Sequence, residues 1–268
     1  MSDRKVVVVT TCNKVGYAAY GKKMLDTFSK LWDRNIQMYF YNEDAENLPQ
    51  HPNVEYRPFP AWFLEWKERH RDHKFAHGKD HKRNRKTREY DFRLDCVKFS
   101  HKVAAMTDVG SQVTDGLLLW IDADTVTHQH VDVDWLYSIY KKGDSYIAWL
   151  ERKKLYPECG FILFRTWMEC HLPFMELLLD TYRSDRVFEF EQTHDSYIIH
   201  QLVLRGIKEG WMPKPHNISG NYENKHHPFV FSMLGDRLDH AKGARKNWGR
   251  TLASELKGKR RPIGHWKP

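Results

Sequence analysis

No apolar run in this 268-residue chain approaches the ~20 residues that a membrane-spanning helix requires. Cysteine is scarce as well. Its four copies (Cys12, Cys96, Cys159, Cys170) form no CxxC pair and no zinc-ligand spacing, which leaves reduced thiols. The opening stretch, MSDRKVVVVTT, is interrupted too soon for a secretory signal. No internal repeat is visible. These absences lead to the expectation of a soluble cytoplasmic protein without a membrane span.

What is present suits a globular α/β protein. Hydrophobic residues make up 41% and aromatics 14%, enough for a substantial core in one large domain or two small ones. The net charge of +8 favours polyanionic partners: nucleic acid, anionic glycans, lipid headgroups or nucleotide phosphates.

The β-branched run Val6–Thr10 predicts a buried parallel strand, and Asn13–Gly16 a turn. Tyr20, Met24, Leu25, Phe28 and Leu31 then recur at helical spacing, and Ile36–Tyr41 and Val54–Tyr56 predict two further strands. That is a βαβ opening. After Pro58 and Pro60, the stretch 65–90 is neither periodic nor apolar. From Lys67 to Glu89 it holds ten Lys or Arg against four Asp or Glu, so most of the net charge sits in this basic insertion. A helix is expected from Asp91 to Met106, and strands at Leu117–Ile121, Tyr146–Leu150 and Glu158–Phe164. Helices are expected around Trp135–Ile139, Phe174–Tyr182 and Asp195–Leu204. Beyond Gly206, His, Pro, Asn and Gly predict loops wrapping back over a site; 251–268 is set apart as a basic C-terminal tail, of which KGKRRPIGHWKP (257–268) is expected to be loosely held.

Chemistry enters at LLLWIDADTVTH, Leu117–His128. In extended backbone, residues i and i+2 point the same way, so Asp122 and Asp124 converge across Ala123. They do so at the carboxyl end of a strand, where open α/β sheets place ligands. Two such carboxylates repel unless a proton or cation intervenes, and a hard divalent ion open to phosphate oxygens suits them. Alternatively, one Asp caps a turn and the other is solvated. A second constellation stands in LDHAKGARKNWG, where His240, Gly243, Lys246 and Trp248 read H-x-x-G-x-x-K-x-W. A neutral imidazole ligates metals, a glycine admits a diphosphate close to backbone, and a lysine brings it a positive charge.

With both motifs in view, the chain resembles a nucleotide-sugar-dependent glycosyltransferase of the GT-A fold, nearest to the family 8 (glycogenin and galactosyltransferase-like) pattern. The resemblance covers most of Val6–Trp248, outside the basic insertion. It implies a single GT-A domain over 1–250, with a Rossmann-like, mixed and mostly parallel sheet. It further implies Asp122, Asp124 and His240 on Mn²⁺ (or Mg²⁺), and Gly243 and Lys246 on the diphosphate. Asn247 replaces the family's proline. Thr10, Thr11, Ala123, Arg93 and Lys102 are expected beside the donor, with Lys98 a further candidate, and Gly160 at a small-residue turn opening the sugar pocket. HDSY resembles the family's Asp-Gln step, with Asp195 matching and Ser196 in place of Gln; both are expected at the catalytic step. The donor implied is a UDP-sugar, UDP-glucose or UDP-galactose. Family 8 enzymes retain anomeric configuration, and the leaving phosphate can then take the acceptor proton. Asp195 would orient sugar hydroxyls or steady a cationic centre, or, more plainly, cap a helix.

The overall type is like short GT-A proteins of bacterial and phage genomes, the latter working in the host cytoplasm. The Lys67–Glu89 segment suits a phosphodiester backbone, and flanking Trp62, Phe63, Trp66, Tyr90 and Phe92 suit stacking on bases. By analogy with similar phage enzymes that modify DNA, an acceptor of hydroxymethylated DNA bases is expected, beside two alternatives: a saccharide acceptor, or a segment that is a solvated mobile loop ordered over the donor only when nucleotide binds. From other classes, a metal-dependent nuclease or nucleotidyltransferase would need further carboxylates, Glu158 among them. A non-catalytic nucleic-acid-binding protein would leave both motifs unexplained.

Overall fold

The computed structural model describes residues 4–73, 76–79, 89–140, 143–223, 225 and 227–256. Much of the basic insertion and of the tail lies outside the described residues, so those expectations are not addressed there.

Among the described residues nine strands carry the architecture: β1 (Lys5–Cys12), β2 (Gln37–Asn42), β3 (Val54–Arg57), β4 (Gly116–Ile121), β5 (Thr125–Thr127), β6 (Ile147–Leu150), β7 (Glu158–Arg165), β8 (His216–Asn217) and β9 (Leu238–His240). Seven form one sheet, in the order β3-β2-β1-β4-β7-β6-β8, and β5 pairs with β9 in a small ribbon. Strands β1 to β4 run parallel, as do β6 and β8, while β7 is antiparallel to both its neighbours. The expected α/β class with a mixed, mostly parallel sheet is what is found.

The helices are α1 (Lys14–Gly16), α2 (Lys22–Leu31), α3 (Ala61–Arg69), α4 (Cys96–Gly110), α5 (Val133–Ser138), α6 (His171–Arg183), α7 (Asp195–Lys208) and α8 (Pro228–Phe231). Both faces of the sheet are covered, and this explains why β1 and β4 read as unbroken apolar runs rather than alternating ones. Val7, Val9, Leu118 and Trp120 pack toward α4, α6 and α7. Val6, Val8, Leu117 and Leu119 pack toward α2 and α8.

Two expectations need correction. Asn13 ends no loop: its side chain accepts from Gly16 N at 2.7 Å and caps α1, which runs through a π-helical turn into α2. The start of the basic insertion is helical, because α3 buries Phe63 and Trp66 in the core, so neither ring is available to stack on a base. Thr251 is buried and held by Asp239 at 2.6 Å, and the loosely held stretch expected at 257–268 lies outside the described residues.

Candidate active site

The strand directions bring one edge of the sheet together. The carboxyl ends of β1, β2, β4 and β6 meet the start of β7 there, since Ile121 pairs with Phe161 and Leu150 with Glu158. Just past β4, Asp122 N donates to Gly160 O at 3.0 Å, which fixes the turn carrying both aspartates. The chain then enters β5, whose Thr125 pairs with His240 in β9. A carboxylate pair and an imidazole from distant sequence are thus tied to one three-residue ribbon.

Ligand atoms of Asp122, Asp124 and His240 lie within 4.8 Å of one another. His240 Nε2 stands 2.9 Å from Asp124 Oδ1 and 3.7 Å from Asp122 Oδ2. The short contact is poorly aligned, and neither ring nitrogen of this buried imidazole makes a hydrogen bond. An orphaned buried nitrogen is costly, and a cation between ring and carboxylates would satisfy it. The ring fits only because Gly160 has no side chain: a Cβ there would lie 2.5 Å from His240 Cε1. Burial alone would raise the Asp124 carboxyl, but His240 and Lys246 outweigh it and hold it well below the usual range. Burial likewise works against a charged His240, and Asp124 reverses the balance, so its pKa is raised. Two carboxylates and one imidazole fit a divalent ion of Mn²⁺ or Mg²⁺ type.

Two lysines flank this triad. Lys246 Nζ sits 3.0 Å from Asp124 Oδ2 and 4.5 Å from the Tyr20 ring centre, toward β1. Lys102, fully buried on α4, reaches Asp195 Oδ2 at 2.6 Å, Asp122 Oδ1 at 3.3 Å and the Cys159 carbonyl at 2.5 Å. Burial opposes its charge, but Asp122 and Asp195 prevail and keep its pKa above the ordinary value. Burial would also raise Asp195, and Lys102 and His194 hold it low. Lys102 therefore links Asp122 of the triad to Asp195. Asp195 is the first residue of α7, behind an N-cap residue, His194, that makes no capping bond.

No protein-family model matches the chain, and no curated protein matches it. Glycosyltransferases of known structure are similar to it. Apo mouse xyloside xylosyltransferase 1 superposes with a TM-score of 0.45 at 8% identity, over 86% of this chain and 93% of that one. GlyE of Streptococcus pneumoniae TIGR4 gives 0.49 at 11% identity, over 92% of this chain and 56% of its own. The apo WbbM bifunctional glycosyltransferase gives 0.46 at 13% identity over 81% of this chain, which spans only 39% of WbbM. Identities this low say nothing of what the present chain binds.

The remaining expected residues are spread around the edge. Thr10 is buried with its hydroxyl unpartnered, whereas the Thr11 hydroxyl is engaged by the Tyr41 carbonyl at 2.9 Å and Glu43 at 3.1 Å. Ala123 is buried, and Ser196 lies against the Cys159 thiol. Gly160 lies inside β7 rather than at a turn, and Gly243 has φ of +66°, a left-handed backbone that suits glycine. Arg93 points outward onto Asp91 at 2.7 Å, and only its carbonyl reaches the Asp195 segment, accepting from Thr193 N. Lys98 stays exposed beside Tyr90.

Three neighbours of the site carry no sequence signal. Trp120 Nε1 donates to Asp122 Oδ1 at 2.8 Å, although its apolar run suggests only core. Lys242 Nζ lies 2.8 Å from both oxygens of Glu158, and Arg152 3.5 Å from one of them. Burial would raise Glu158, but Lys242, His240 and Arg152 bring it down to about 2.

Proposed function

We propose that the chain is a metal-dependent glycosyltransferase that moves a hexose from a UDP-sugar to an acceptor hydroxyl with retention of configuration. The observation that carries this is the convergence of Asp122, Asp124 and the buried His240 at the carboxyl edge of the sheet, with Lys246 and Lys102 beside them. When bound, a divalent ion supplies Lewis-acid stabilisation of the charge that builds on a leaving diphosphate. The lysines add fixed positive charge, Lys102 from a buried position and Lys246 from a partly buried one, where it acts more strongly than in water. Lys246, toward β1, suits the diphosphate on the nucleoside side, with Thr10 and Thr11 nearby and Gly243 permitting close backbone approach. On the other flank, Asp195 is kept anionic by Lys102 and suits orientation of a sugar hydroxyl or support of a cationic centre, with Ser196 next to it. Arg93, which Asp91 now holds, would need to turn inward to meet a donor.

The nuclease alternative loses its extra carboxylate. Glu158 is occupied by Lys242 and Arg152. The DNA-acceptor alternative rests on a basic segment part of which lies outside the described residues, and two of its five flanking aromatics are core.

The test is thermal denaturation and turnover with a panel of nucleotide sugars, with and without Mn²⁺, in the natural chain and in Asp124→Ala and His240→Ala. Stabilisation by one UDP-sugar in the presence of Mn²⁺, abolished in both variants, is the expected result. Indifference to every nucleotide sugar would end this reading.

A further inference from the structure

A cavity of roughly 850 Å³ opens beside the triad, where the loop after β6 and the start of β7 meet the turn 242–248. Its floor shares Glu158, Lys242 and Gly243 with the site, and His227 in its wall has its ring centre 6.1 Å from that of His240. Six cationic side chains line it against three carboxylates, and each carboxylate is already engaged. Lys242 and Arg152 hold Glu158, Arg245 holds Glu255, and the Asn217 amide donates to Glu223. Among the described residues, Lys153, Lys154 and Lys225 have no carboxylate within ion-pair distance.

The rim is built rather than incidental. Lys153 N donates to Glu223 O at 3.0 Å and ties the loop after β6 to the segment that carries Lys225. Lys154 holds φ at +63°, a left-handed backbone that residues other than glycine rarely adopt, yet a lysine stands there. Trp248, 64% exposed, adds a flat indole to the lining. The volume is that of a small-molecule pocket, typically about 300–1,000 Å³, and too small for a duplex.

Resting on the transferase reading above, we infer that this cavity is the acceptor subsite and that its acceptor is a small phosphorylated molecule of sugar-phosphate size. The phosphate meets Lys153, Lys154 and Lys225 through charge-assisted hydrogen bonds. Trp248 covers the apolar face of the ring, and the receiving hydroxyl is directed at the floor beside Glu158 and Lys242. A free sugar phosphate and the phosphate-bearing end of a glycolipid share this chemistry.

Calorimetric titration of the full chain separates the questions. UDP with Mn²⁺ reports the donor site alone. Glucose 6-phosphate, glucose, a short-chain lipid-linked glucose phosphate and a single-stranded oligonucleotide report the cavity. Glucose 6-phosphate or the lipid-linked phosphate is expected to bind about tenfold tighter than glucose or more, and the tighter of the two identifies the source. The combined variant Lys153→Ala/Lys154→Ala/Lys225→Ala should lose this preference, and the corresponding triple Arg variant should keep it. Equal binding of glucose and its phosphate overturns the inference, as does a preference that survives the Ala substitutions or tight binding of the oligonucleotide alone. If glucose 6-phosphate binds while UDP–Mn²⁺ does not, the transferase reading fails, and the acceptor assignment with it.

Discussion

Gly160 is best understood through the methyl group it lacks. A Cβ there would sit 2.5 Å from His240 Cε1 and 2.9 Å from Nδ1, and the ring has little room to retreat because it is buried. Gly160→Ala should therefore displace the imidazole, with an overpacking cost of about 1–3 kcal/mol and a loss of Mn²⁺ affinity on the order of 10–100-fold. Urea denaturation and Mn²⁺ titration measure the two effects, and unchanged Mn²⁺ affinity would remove His240 from the ligand set. Lys102 presents the opposite case, a buried charge with two carboxylate partners. Lys102→Met leaves Asp195 and Asp122 facing each other without it and should cost about 3–5 kcal/mol in urea denaturation. Adding Asp195→Asn should recover part of that loss; a double variant no more stable than the single would mean that Asp195 is not the stranded charge.

At the scale of elements, α3 is held by Asp185, which lies between α6 and the following turn. Asp185 accepts from Trp66 Nε1 at 2.9 Å and pairs with His70 and Arg69, and does so from a left-handed backbone at φ +62°. Asp185→Ala should destabilise by about 1–3 kcal/mol through the lost partners, and Asp185→Gly by less, since glycine relieves the backbone. Equal losses in chemical denaturation would show that the backbone term is negligible. This helix also marks where the sequence was hard to read. Strands β1, β4 and β7 are legible because burial on both faces demands continuous apolar runs, and α2 because its apolar stripe recurs over three turns. In α3 the two core residues, Phe63 and Trp66, are three apart and are followed at once by charge, so no period emerges. The two residues of β8 bear no pattern at all. Around the site, local spacing reveals Asp122 and Asp124 as a pair and sets out His240, Gly243 and Lys246. The Glu158–Lys242 and Trp120–Asp122 contacts arise from strand pairing and side-chain direction, which composition does not encode.

For the molecule as a whole, the carboxyl edge of β1 and β2 holds a second buried polar group with consequences for stability. Glu43 accepts from Thr11 and lies 3.5 Å from His101 Nε2, which is itself 3.0 Å from Lys67 Nζ; Asp44 also bears on both. Burial pushes Glu43 up to about 7, against the opposing pull of Thr11 and Lys67. Burial, with help from Lys67, brings His101 down to about 4. The folded state therefore holds a proton on Glu43 that the unfolded chain releases near 4.5, and this contribution is full below that value and lost as pH rises through 7. The His101 contribution runs the other way: it is present above about 6.5 and lost as pH falls toward 4. Of these two groups only Glu43 still changes much above pH 6.5, so Glu43→Gln should lessen the decline in urea midpoint between pH 6.5 and 8, the remainder belonging to the raised His240. A slope identical to that of the natural chain would place the titrating group elsewhere.

The β5–β9 ribbon bears on how such a protein is made in a cell. The segment that delivers His240 also delivers Phe229, Val230, Leu234 and Leu238, which close one face of the main sheet. A chain released by the ribosome before this segment would possess the large sheet and both aspartates, but would leave an apolar face bare to chaperones and proteases. The residues that finish the candidate triad and those that hide the core are translated together, so a product whose translation stops short of the triad is also one marked for disposal.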